Sequence, residues 1–127
     1  MSRLLNSWYK QKQASRAYRR GLTYVCQMSH VQAIAAFSEA VEKGYQYAGK
    51  ALVKRGVSHS HLHDLSRAIA DFDGVIETSQ AGDTILADAQ FHRVLLRQQA
   101  GNEAGAVAEW SEAIAHWPTY PEPHYHR

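Results

Sequence analysis

Laid against itself, the chain repeats one apolar pattern three times, and that constrains its fold more than any other feature. Ala33, Ile34, Phe37, Ala40 and Val41 stand at helical spacing. Ala68, Ile69, Phe72, Val75 and Ile76 repeat them, and Ala106, Val107, Trp110, Ala113 and Ile114 repeat them again. Each set places small and aromatic side chains on one face of an amphipathic helix. An arginine precedes every set by thirteen residues (Arg20, Arg55, Arg93), followed by glycine in the first two copies, Gly21 and Gly56, and by Val94 in the third. Successive copies lie 35 and 38 residues apart.

A period of that size is two helices and a turn, a unit that must stack on neighbours to bury its apolar face. The spacing predicts helices over 14–28, 31–43, 49–62, 65–79, 84–99 and 103–117. Met28-Ser29-His30, His63-Asp64 and Gly101-Asn102 mark turns within units, the last two supplying N-cap side chains. Gly44, Gly49 and Gly82-Asp83-Thr84 separate the units. All three prolines, Pro118, Pro121 and Pro123, fall in the last ten residues, so nothing before them breaks a helix outright.

The pattern resembles the tetratricopeptide repeat family. Its small–large–small signature is matched by Gly21–Ala33–Phe37–Ala40, by Gly56–Ala68–Phe72 with Val75 in the last place, and by Ala106–Trp110–Ala113 closed by Pro118. The resemblance implies an all-α domain over 14–127, with three stacked helix-turn-helix units (about 14–47, 49–82 and 87–120) in a short right-handed superhelix. A basic, helical extension, 1–13, precedes it. Tyr125-His126-Arg127 repeats Tyr18-Arg19-Arg20 and Phe91-His92-Arg93, the stub of a fourth unit. A stub caps incompletely, which predicts self-association through the C-terminal end around Trp117.

Within the units, Phe37, Phe72 and Trp110 read as core, packed on the small residues. Asp71 follows Arg55 by sixteen residues and Glu109 follows Arg93 by sixteen, spacings that set each pair opposite one another across a helical hairpin. The first unit has Ala36 at that place, leaving Arg20 to Glu39 or to a ligand.

Charge divides the chain. No acid precedes Glu39, while six of the 14 basic residues do (Arg3, Lys10, Lys12, Arg16, Arg19, Arg20); the remaining eight face all 12 acidic ones. With Leu4, Leu5 and Trp8 on one helical face, this start resembles an organellar import segment or is the basic first helix of a cytoplasmic domain. Basic residues do not recur along the later units, which argues against nucleic-acid binding. No apolar run is long enough for a membrane span, and the single cysteine, Cys26, fits a reducing compartment.

For chemistry, His59, His61 and His63 before Asp64 are the candidate metal ligands. His59 and His63 share a helix face at i, i+4, without further ligands nearby in sequence. No nucleophile motif, phosphate loop or dinucleotide fingerprint is present, so neither catalysis nor a cofactor is expected. The resemblance instead implies a concave groove lined by the first helix of each unit, here by Tyr18, Leu22 and Val25, by Val53, Val57 and His61, and by Phe91, Leu95 and Gln98. Positions where carboxylate-clamping members carry Lys, Asn and Arg hold Tyr18, Leu22, Lys54, Asp88 and His92, too few polar groups for such a clamp. The expected occupant is a hydrophobic peptide or amphipathic helix, unless residues 1–13 fold back over the groove. The alternative is a small subunit of a larger assembly, docked through its basic N-terminal helix.

Overall fold

A computed structural model describes residues 2–79, 83–99 and 101. Among them the chain forms five α-helices and no strand: α1 (Ser2–Cys26), α2 (His30–Glu42), α3 (Ala48–His61), α4 (Leu65–Thr78) and α5 (Thr84–Gln99). The first helix, expected to begin at residue 14, begins at Ser2 instead. One helix runs from Ser2 through residue 13 into the repeat, because no residue before Gly21 interrupts the hydrogen-bond ladder. Residues 2–13 continue the helix and do not fold back over the groove. The expected helix 103–117, with Trp110, Trp117 and the C-terminal stub, lies outside the described residues.

Consecutive helices pack on one another, and α3 also touches α5. Their directions follow from the contacts. Gly21 meets Phe37 and Gln11 meets Gly44, so α1 and α2 are antiparallel. His30 stacks on His61 while Ser38 bonds Arg55, so α2 and α3 are antiparallel too.

Two interlocked contacts space the hairpins. The Phe37 ring lies against the backbone of Gly21, where a Cβ would enter the ring's van der Waals envelope. Phe72 lies on Gly56 in the same way, with ring carbons only 2.7 and 2.8 Å from where a Cβ would stand. Both phenylalanines are fully enclosed, each contributing about 1.5–3 kcal/mol by leaving water. Between the hairpins the contact is small on small: Ala17, Ala40 and Ala51 of α1, α2 and α3 meet with no exposure, flanked by Tyr18, Val41 and Tyr45. A second cluster joins α3, α4 and α5 through Val53, Ala68, Phe72, Val75, Ala89 and Leu96.

The turns repeat as well. Each of three helix ends closes with a pair of backbone bonds around one left-handed residue. After α1 these are Met28 N to Val25 O (3.0 Å) and Ser29 N to Tyr24 O (2.8 Å), with Met28 at φ 61°. After α3 they are His63 N to Ser60 O (3.0 Å) and Asp64 N to His59 O (2.9 Å), with His63 at φ 62°. Gly44 serves the end of α2 at φ 74°. Asp64 then caps α4 by accepting a bond from Arg67 N.

Two outcomes are expected in urea melts. Gly56→Ala lowers stability by about 1–2 kcal/mol, since displacing the Phe72 ring outweighs the gain in helix propensity. Met28→Gly and His63→Gly each raise it by about 0.5–1 kcal/mol, because both side chains occupy a left-handed conformation that glycine adopts without cost.

Candidate binding groove

Arg55 and Arg93 were expected to pair with Asp71 and Glu109, and Arg20 was left to Glu39 or a ligand; their placement shows a second role. Arg55 on α3 grips Asp71 on α4 with both arms, Nε to Oδ2 at 2.8 Å and Nη2 to Oδ1 at 2.5 Å. Its remaining arm, Nη1, donates back to Ser38 Oγ on α2 at 3.1 Å. One guanidinium thus ties three helices. Arg93 on α5 likewise reaches back to α4, donating to Asp73 Oδ1 at 2.6 Å, and Asp73 stands 35 residues after Ser38. The expected partner of Arg93, Glu109, lies outside the described residues. Arg20 meets Glu39 at 3.0 Å, exposed on both sides; such a pair contributes little.

The helices so braced present α1, α3 and α5 along one side. Between them lies a cavity of about 530 Å³ lined by Tyr18 and Val25 of α1, by Lys50, Val53, Lys54 and Val57 of α3, and by Thr84, Ile85, Asp88 and His92 of α5. A second cavity, about 370 Å³, continues beyond His92 and takes in Ser60, His61, His63, Phe72, Leu95, Leu96 and Gln99. His92 borders both, its ring stacked on Phe72 at 5.4 Å.

Of the residues expected in the groove, Tyr18, Val25, Val53 and Val57 line the first cavity, and His61 and Leu95 the second. Val53 is nonetheless largely core, 6% exposed, because α3 packs closely on α5 at that level. Leu22 lines neither cavity and is half-buried. Phe91 is 39% exposed and turned edge-on to His92 at 5.8 Å, and Gln98 faces solvent. Lys50, Lys54, Thr84, Ile85, Asp88 and His92 complete the lining of the first cavity. Lys54, Asp88 and His92 stand at the positions the resemblance assigns to a clamp, whereas Thr84 and Ile85, in the first turn of α5, carry no signal in the repeat pattern. The groove is apolar along its floor, through Val25, Val57 and Ile85, and polar at its edge, through Lys50, Lys54 and Asp88.

The histidine cluster is split by the fold. His59 is buried beside the Arg55–Asp71 pair, its Nε2 3.9 Å from Asp71 Oδ2. His61 stacks on His30, ring centroids 4.5 Å apart and nearly parallel, and His63 occupies the turn. Among the described residues no group of three or more His, Cys, Asp or Glu could hold a metal ion. No helix among them is long and apolar enough to cross a membrane. Compared with family models, curated proteins and solved structures, the chain matches none.

Burial pushes the His59 imidazole below its ordinary value of 6.5; Asp71 and Asp64 oppose that shift, while Arg55 and Arg67 add to it. Burial lowers His92 in the same direction, with Asp88 opposing and Lys54 assisting. The unfolded chain therefore takes up protons at these sites more readily than the folded one, so stability falls as pH drops below about 6.5. The urea midpoint is expected to be lower at about pH 5 than at pH 7, and His59→Gln with His92→Gln flattens that dependence.

The buried carboxylate generates a further expectation. Arg55→Ala leaves Asp71, only 7% exposed, without its guanidinium. The loss should reach about 3–5 kcal/mol, with clear coupling in an Arg55/Asp71 double-mutant cycle.

Proposed function

We propose that this chain is a non-enzymatic protein-interaction module of tetratricopeptide-like units. Its occupant is a hydrophobic peptide or amphipathic helix, seated along the groove between α1, α3 and α5. The observation that carries this reading is the groove's own chemistry, an apolar floor of Val25, Val57 and Ile85 beneath a rim of Lys50, Lys54 and Asp88. An apolar ridge fits that floor, and an acidic side chain beside the ridge meets the two lysines. The repetition of glycine-on-phenylalanine contacts and left-handed turns about 35 residues apart supports the repeat architecture.

Selection from a displayed peptide library tests the proposal. Peptides that combine apolar residues at helical or alternating spacing with an acid are expected to emerge. Val57→Glu should abolish their binding, and Lys54→Glu, an exposed change that leaves the core intact, should weaken it about tenfold by repelling the acid. Failure to select any peptide, or selected peptides indifferent to both substitutions, would reject the groove as the binding site. Docking through the N-terminal helix would use a different surface.

A further inference from the structure

The N-terminal end of α1 projects past the hairpin it belongs to. Gln11 is the first residue of α1 that is not fully exposed: its Nε2 donates to Gly44 O at 2.5 Å and its Oε1 accepts from Gln46 N at 3.0 Å. Residues 2–10 continue for roughly 13 Å at 1.5 Å per residue. On this projection Leu4, Leu5, Trp8 and Tyr9 are 79, 56, 57 and 57% exposed. A soluble surface rarely gathers four large apolar side chains within two turns of helix without using them.

Charge follows the same line. Leu4, Trp8, Lys12, Arg16 and Arg19 succeed one another at three- and four-residue intervals, on the side of α1 away from its buried Ala14, Ala17 and Gly21. Lys12 Nζ sits 4.7 Å above the Trp8 ring, joining the apolar end of the strip to its basic end. Arg3 and Lys10 lie on the other side of the helix, bordering a cavity with Glu42, Lys43 and Gly44, and α1 carries no acid anywhere along its length.

We propose that this face of α1 rests on an anionic lipid surface. The leucines and aromatic rings of the projecting end enter the headgroup boundary, and Lys12, Arg16 and Arg19 lie over the lipid phosphates. A helix with Leu and Trp on one sector, Tyr at its edge and cations alongside matches the chemistry of interfacial helices. Nucleic acid fits less well, since phosphates gain nothing from two exposed leucines. The surface is separate from the groove, so a groove occupant and a membrane do not compete.

Co-sedimentation of the full chain with phosphatidylcholine vesicles, with and without phosphatidylglycerol, tests this. The chain should pellet with anionic vesicles, stay in solution with neutral ones, and be released by salt. Leu4→Asp with Trp8→Asp should abolish partitioning. Lys12→Glu with Arg16→Glu should lower it by about tenfold or more. All four side chains are exposed, so helicity by circular dichroism should not change. Equal partition onto neutral vesicles, none onto anionic ones, or binding indifferent to Leu4 and Trp8 would overturn the proposal. So would a wild-type oligomer that Trp8→Asp converts to monomer, because a second copy would then cover the face.

Discussion

A phenylalanine ring lying on a glycine backbone is the contact on which the other spacings depend. At Gly21 and at Gly56 the absence of a single methyl lets two helices approach until the ring of the next helix fills the gap. That approach brings a neighbouring turn of small residues into register, so Ala17, Ala40 and Ala51 close the junction between hairpins with no exposure to solvent. It also fixes which sides of α1 and α3 remain turned outward. The groove is what is left when the other faces have been used.

The guanidinium of Arg55 then makes the stacking specific. Hydrophobic contact tolerates sliding along a helix, whereas a two-armed bond to Asp71 with a third bond to Ser38 does not. A buried ion pair adds modest net stability compared with an apolar replacement, and its stronger contribution here is geometric. It holds α2, α3 and α4 at one mutual height. Arg93 and Asp73 continue that device to α5.

Much of this was legible in the residues, and what was not has identifiable causes. Helical periodicity placed α2 through α5 to within a few residues, and the sixteen-residue interval correctly paired Arg55 with Asp71. The backward reach of the arginines was hidden because its acceptors, Ser38 and Asp73, occupy equivalent positions without sharing a residue type. The first helix starts twelve residues earlier than the repeat register suggested, because a change in composition does not stop a helix whose ladder meets no breaker. In the groove, the lining helices followed from the repeat, whereas its depth depends on how far α3 turns into α5. That turn buries Val53, and the stacking of His92 on Phe72 divides the space in two.

Because each helix leans chiefly on the one before and the one after, the order of contacts in space is nearly the order of synthesis. The paired residues that brace the molecule are separated by 16 to 20 positions, and even Gln11 and Gln46 are only 35 apart. Closing such short loops costs little entropy, so assembly should begin from any one hairpin and spread along the chain rather than wait for its ends to meet. The reverse holds for loss of structure. A fluctuation at one end can peel away a hairpin while the neighbouring one remains folded, which gives the stack graded rather than all-or-none resistance to opening.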